Sequence, residues 1–411
     1  MTPHLSFWRQ LAATPHRGMF LAGSIQGVLV MLWWGLALLA RSYPDIGLPL
    51  WSAGSSWAHP FWMIYGFFPF FMFGFLFTTY PNWMNAAKIP SRRALFSAGL
   101  LSTGVVLCYV GLAMAEWVLI AGLVFMLMGW SLATFQLLHV LLTARHPDKR
   151  HPIITSAALI AGGVGLAATA LWRLTGNGEW LAFSRVAGIW FFLLPIMMTV
   201  SHRMIPFFSS RVIKSYIVVR PYGLLWLMLA CSVAQGVLTL FHADTLLWAV
   251  DFVLAVCALY FTWAWRITES FQVALLAVLH TAFAWLGLSM LLFGLQNLAL
   301  VLRWNGLHFG LAPLHALTIG FMTSLLMGMA SRVTLGHAGR PLKLDRFTIG
   351  LFVGIQFTAV IRVLADMMPD WQHDAVYGYV LAAGIWLMVW VLWATRYAPM
   401  YWRARADGKA D

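Results

Sequence analysis

A run of about 20 predominantly apolar residues recurs along this chain, and that is the length a helix needs to cross the roughly 30 Å hydrocarbon core of a bilayer. Such runs lie near 18–40, 60–80, 94–113, 117–143, 153–174 and 183–201, and again near 221–242, 245–265, 271–295, 311–332, 346–367 and 375–398. The connections are short and carry turn or charged residues, such as Asp148, Lys149 and Arg150, or Gly176, Asn177 and Gly178. Composition agrees: 61% of the residues are hydrophobic and 9% charged, against about 25% charged in an average soluble domain. A soluble fold of 411 residues has no interior large enough for that much apolar surface, so the solvent is lipid. The expectation is an all-α, polytopic membrane helical bundle of about twelve transmembrane helices. It reads as a single integral membrane domain over 1–411, with helices 1–6 in about 18–201, a loop at 202–220 and helices 7–12 in about 221–398. The first run lacks a small-residue cleavage site and reads as a retained helix.

The basic residues test both the count and the orientation. With the N-terminus inside, alternate loops hold 21 Lys and Arg inside and 4 outside (Arg41, Arg173, Arg185 and Arg303), with Arg362 inside a helix. A wrong helix count would scramble this asymmetry partway along. Cytoplasmic N- and C-termini are therefore expected from the positive-inside rule. The net charge of +13 then belongs to orientation, and without a basic block or an aromatic-basic face it does not suggest nucleic acid. Cys108, Cys231 and Cys257 lie in apolar runs without CxxC spacing, and read as buried small hydrophobes. The loop over 201–221 divides the helices into two sets of six, but no residue-level match relates the halves.

Ionisable groups inside lipid are costly and are functional candidates by default. Here they are mostly histidines. At about 1.5 Å rise per residue, His59 and His315 fall near the outer ends of the second and tenth helices. His280 falls near mid-membrane, and His139, His202 and His337 near the inner side. Imidazole ligates haem iron, copper and zinc, and is cheaper to bury than a carboxylate. Two such ligands from different helices can clamp a haem or begin a three-His copper site; a hydrogen-bonded core histidine is the plainer alternative for each. His242 and His308 lie near the outer surface, and His4, His16, His146, His151 and His373 read as solvated loop residues. Arg362 would hold a haem propionate or pair with Asp366 one turn on. Asp251 is the one carboxylate well inside a span, suited to a proton relay or to a hydrogen bond with a neighbouring helix. The chain has no CxxCH, Walker A or GxGxxG motif.

Four segments together carry a family resemblance: GFLFTTYPNW (74–83), RMIPFFSSR (203–211), LHTAFAWLGL (279–288) and HALTIGFMTSLLMGMASRVTLGHAGRPL (315–342). They resemble the NnrS family of bacterial inner-membrane proteins, which bind haem and copper and belong to the nitric-oxide stress response. The resemblance points to His280, His315, Arg332, His337, Gly339, Arg340 and Pro341, and to Asn82, Trp83, Arg203, Pro206, Phe207 and Phe208. Near the second helix the family usually shows a W-H-A-H-E-M run. Here WAHPFWMIYG (57–66) keeps His59, while Phe61 and Trp62 replace the second His and the Glu. His202, beside Arg203, is an extra intramembrane imidazole that would compensate.

The resemblance implies a haem b protein with possible copper, in the bacterial inner membrane, that binds or reduces nitric oxide and takes electrons from an unassigned donor. Candidate metal ligands are His59, His280, His315, His202, His139 and His337, with Arg362, Arg332, Arg340 and Arg203 as cofactor-binding cations and Asp251 as a proton relay. The alternative is a secondary transporter of a small anion or metal ion, for which Gly162, Gly163, Gly165 and Pro69 would mark broken spans.

Overall fold

The computed structural model describes residues 7–43, 45, 55–304, 306–307, 309–368 and 372–408. Among them are twelve helices long and apolar enough to cross a membrane. They are α1 (Pro15–Ser42), α2 (Ser56–Trp83), α3 (Ser91–Ala113), α4 (Glu116–Thr143), α5 (Arg150–Thr175) and α6 (Gly178–Ser209), followed by α7 (Tyr222–Leu240), α8 (Asp244–Ala264), α9 (Ala274–Val301), α10 (Ala312–His337), α11 (Arg346–Asp366) and α12 (Val376–Tyr401). Each expected span is found, with ends moved by a few residues. The largest shift is at α6, which runs through Pro206 to Ser209 and takes up much of the expected 202–220 loop. The end of the bundle where α1 starts and α2 stops gathers most of the Lys and Arg; we call it the basic end.

Packing organises the bundle with a period of four helices rather than six. The three most buried spans are α2, α10 and α6, at 89%, 78% and 67%, against 61% or less for the others. Each of the three is also interrupted by a wide π turn, at Trp62–Phe67, Ala187–Leu193 and Ala316–Thr323. In α2 and α6 the cause is local. Pro69 and Pro195 follow the turn in second position and bring no N–H to the ladder, and the chain resumes with i→i+5 bonds from Phe68 to Met63 and from Leu194 to Ile189. In α10 no proline is involved. There Thr323 and Ser324 hydroxyls donate to the carbonyls of Thr318 and Ile319 at 2.9 and 3.3 Å.

Carbonyls loosened in this way need donors, because hydrocarbon supplies none. Tyr65 Oη in the first π turn donates to Ser184 O at 2.7 Å, just before the second. Ser232 Oγ of α7 donates to Trp190 O at 2.6 Å. In the third, Ser324 Oγ accepts from Gln356 Nε2 at 2.8 Å, and Gln356 Oε1 accepts from Trp285 Nε1 at 2.7 Å. The same logic ties Trp130 Nε1 to Leu159 O at 2.8 Å and Trp390 Nε1 to Ser24 O at 3.1 Å.

One expectation changes here. α5 runs unbroken through Gly162, Gly163 and Gly165. Those glycines make room rather than break the helix: a Cβ on Gly162 would meet Trp130 and Phe192, and one on Gly165 the Tyr65 hydroxyl. The Gly-His-Ala-Gly-Arg-Pro stretch is a helix stop. Gly339 takes φ +67°, its N–H reaches Gly336 O at 3.3 Å, and Arg340 N–H reaches Leu335 O at 2.9 Å, the paired bonds of a Schellman end. The C-terminal segment then docks on it, with Ala406 N–H donating to Ala338 O at 2.8 Å.

Close helix contact is clearest between α3 and α4, where small residues let the backbones touch as membrane helices favour. A Cβ on Gly104 would lie 2.5 Å from Met126 N, and one on Gly122 2.7 Å from Cys108 N. Gly99 of α3 faces open space. Gly104→Val should therefore lower thermal stability in detergent, by about 1–3 kcal/mol for forced overpacking. Gly99→Val should change it little; equal losses in both variants would show that the α3–α4 contact is not the cause.

Candidate metal centre and buried histidine pairs

The sequence spaces its histidines along single helices, and the fold sets six of them two by two, His59 and His315 within electrostatic reach of each other and the other two pairs with their rings in contact. The first is at the end opposite the basic one. His59 lies in α2 just ahead of its π turn, and His315 in α10 just ahead of its own. Trp34 of α1 lies flat on the His59 ring, with centroids 4.1 Å apart and planes at 13°. The electrostatic neighbours of His59 are His315, Arg362 and Arg41, and its Nδ1 is buried without a hydrogen-bond partner. His315 is held differently. Its Nδ1 lies 3.0 Å from Leu311 O and 3.2 Å from Asp366 Oδ2. Both are acceptors, so Nδ1 carries the proton and the lone pair is on Nε2.

Asp366 is the centre of the supporting shell. It pairs with Arg362 one turn earlier on α11 at 2.6 Å, a charge contact rather than a well-aligned hydrogen bond. It also accepts from Tyr379 Oη at 2.9 Å, and the Arg362 guanidinium lies 4.0 Å from the centre of that tyrosine ring. The ion pair with Asp366 expected for Arg362 is formed. A carboxylate on the far nitrogen of a ligating imidazole is the usual second shell of a metal-binding histidine, where it fixes the tautomer and raises basicity.

The second and third pairs are at the basic end, and each includes a histidine that the sequence suggested was solvated. His151 and His16 are both fully buried. Both sit in the first turn of a span, where loop and helix look alike in sequence. The His16 ring lies 4.5 Å from that of His337, tilted by 47°, and His337 is the last residue of α10. Its ring also lies 5.3 Å from that of Phe20, and its Nδ1 has no hydrogen-bond partner.

His151 joins a chain of hydrogen bonds running inward from a loop. Tyr222 Oη donates to Asp148 Oδ2 at 2.9 Å and lies 3.3 Å from His151 Nδ1. His151 Nε2 lies 3.1 Å from His202 Nδ1. With Tyr222 donating to Asp148, the consistent tautomers put protons on both Nδ1 atoms and leave the buried, unpartnered Nε2 of His202 as an acceptor. Such a chain can pass a proton between the basic-end loop and the bundle interior, or present one imidazole lone pair to a ligand. Arg150 covers the Tyr222 ring at 3.5 Å, and Arg203 lies 4.9 Å from the Trp83 ring.

The other candidates stand apart from these pairs. His280 is buried and lies 3.0 Å from Ser209 Oγ at the end of α6. His139 is exposed on α4, with the Phe135 ring beside it at 6.4 Å. His242 is exposed in a turn with φ +53°. Asp251 of α8 accepts from Asn297 Nδ2 of α9 at 2.7 Å, so the hydrogen bond to a neighbouring helix is formed, while its Oδ1 stays unpartnered. Arg332 covers the Phe208 ring at 3.7 Å, and Arg340 is exposed in the helix-stop turn. His4 and His308 lie outside the described residues, as does the side chain of His373. Among the described residues, no three His, Cys, Asp or Glu side chains stand together as a preformed metal cluster.

The signature segments thus fall at the structural nodes: Trp83 and Arg203 by the basic-end histidines, His280 against Ser209, and the run from His315 to Pro341 forming α10 and its stop. Compared with known families, the chain matches the NnrS protein family over residues 10–405, a stretch that includes all twelve spans. The chain belongs to the NnrS family. That membership implies a multi-pass membrane protein of the nitric-oxide response. No curated protein matches this NnrS-family chain by sequence.

Outside the spans, charge pairing holds the basic-end loops. Asp148 accepts from Arg150 Nε and Nη2 at 2.9 and 3.1 Å, which holds its carboxyl below the usual carboxylate range. A depressed carboxylate stabilises the fold at every pH above its ordinary value, near 4, and loses that effect as pH falls through the lowered value. Asp148→Asn should therefore melt below wild type by a constant margin from pH 5 to 8, with the gap closing only below about pH 4. A gap that closes between pH 5 and 7 would assign the coupling to a histidine instead.

Proposed function

We propose that this NnrS-family protein would hold a haem at the end of the bundle opposite its basic face, with His59 and His315 as the residues that would hold it, and that nitric oxide is bound or reduced there. The observation that carries this reading is the His315–Asp366 pair. Leu311 O accepts from Nδ1 with the Asp366 carboxylate in charge contact beside it, which leaves Nε2 as a lone pair, while His59, from a second core span, has a buried nitrogen with no partner. Imidazoles presented by two different helices are the kind of protein group that would hold a haem iron. A copper centre of three histidines would need a further ligand at this end, since Phe61 and Trp62 stand where the family shows a second His and a Glu.

When bound, a ferrous haem supplies the affinity for nitric oxide. The protein's own part is to hold and shield that group. Trp34 covers one face of His59, Arg41 lies 5.4 Å from the Trp34 ring centre, and Arg362 puts a paired cation beside the site, where a propionate carboxylate would find it. Coupling two nitric oxide molecules to nitrous oxide and water consumes two electrons and two protons. The Asp148–Tyr222–His151–His202 chain would carry a proton from the basic-end loop as far as His202. The bacterial inner membrane, with the basic end in the cytoplasm, is the setting that the charge asymmetry supports.

A reduced-minus-oxidised spectrum of the purified full chain tests this reading. We expect Soret and alpha bands that shift with nitric oxide, lost in His59→Ala and in His315→Ala. Asp366→Asn should weaken retention of the group by about 10–100-fold, the usual cost of removing a second-shell partner. His280→Ala, whose imidazole is hydrogen-bonded to Ser209, should keep the bands. Bands that survive both outer substitutions, or a colourless wild type free of iron and copper, would overturn the assignment.

A further inference from the structure

The three central helices meet around a cavity of about 50 Å³. Met72 and Phe75 of α2, Met197 and Val200 of α6, and Met329 of α10 line it, and Phe20 of α1 closes one side. All six are less than a tenth exposed, so the cavity is set between the helices, and it is open on part of its boundary. Its lining is apolar throughout.

A cavity can hold water only if it is roomy enough, above about 10–15 Å³, and offers two to four polar partners. This one has the room and lacks the partners, and cavities of that kind stay dry and take up xenon or other apolar guests. An ion or polar metabolite would have to shed its hydration with nothing in exchange. A neutral diatomic gas has almost no hydration to lose and is water-sized. Close packing would ordinarily fill such a void, since interiors leave few gaps larger than a water molecule. Met72, Met197 and Met329 come from three different helices and have flexible, polarisable side chains that can adjust around a small guest.

Position supports the same occupant. The cavity lies inward of the π turns of α2, α6 and α10, along the helices that also carry His59, His202 and His315. Towards the basic end Phe20 connects it to the His16 ring at 5.3 Å. We propose that this cavity is a dwelling site for nitric oxide, where the gas collects from the lipid-like interior before it meets the metal centre. The choice of nitric oxide over another small apolar gas rests on the reading given under Proposed function.

The test uses full-length protein in nanodiscs with [13C-methyl]methionine, under xenon and then under anaerobic nitric oxide. Xenon should shift the Met72, Met197 and Met329 methyls saturably. Met128, exposed on α4, should follow xenon dissolved in lipid without saturating. Nitric oxide should reverse the three saturable shifts by competition. Ala330→Leu and Val200→Leu, which fill the cavity from two different helices, should each abolish them. Absence of a saturable xenon shift overturns the proposal, as do xenon shifts that nitric oxide does not displace. Neither readout needs a metal, so a protein that passes this test but has no Soret band would sink the haem reading alone.

Discussion

Everything in this molecule follows from one constraint: in hydrocarbon, each backbone N–H and C=O must find its partner within the protein. Twelve long helices meet that demand almost automatically. The exceptions are the wide turns of α2, α6 and α10, where the ladder slips by one residue, at Pro69 and Pro195 in the first two. These three helices are also the most buried. The coincidence has a physical reason, because a loosened turn is tolerated only where neighbouring side chains can supply donors. Tyr65, Ser232 and the Trp285–Gln356–Ser324 relay do so.

The functional groups inherit their positions from that arrangement. His315 immediately precedes one π turn and His59 lies within one helical turn of another, on core helices, so their rings are held by helix geometry rather than by loops. The supporting shell comes from the periphery: Trp34 from α1, Asp366 and Arg362 from α11, and Tyr379 from α12. At the opposite end the same core helices terminate in His337 and the His202 segment, and outer helices again bring the partners, His16 from α1 and His151 from α5. Central helices present the imidazoles and outer helices tune them.

The number of spans, their boundaries to within a few residues and the gathering of basic residues at one end were all legible in the sequence, because apolar run length and charge placement are one-dimensional properties set by the bilayer. The family was legible too, since its segments are contiguous. Pairing was not. His16 and His151 look like loop residues because they flank charged positions, yet burial depends on what packs over the first turn of a helix. Gly162 and Gly165 look like breaks, yet they are clearances for Trp130 and Tyr65. Gly339, singled out only by the resemblance, is a left-handed helix end under the C-terminal segment.

By itself, then, the sequence determined that this chain is a twelve-helix membrane protein of the NnrS family, with histidines placed at both ends of its spans. Lipid enforces that reading on any chain with such hydropathy. Tertiary structure alone decided that α2, α6 and α10 form the centre, and which imidazole faces which. It also decided that Asp366 lies against the ring of His315, and that Asp148, Tyr222, His151 and His202 form one line. Those relations join residues up to hundreds of positions apart. They are fixed by side-chain packing between helices, which no local pattern along the chain encodes.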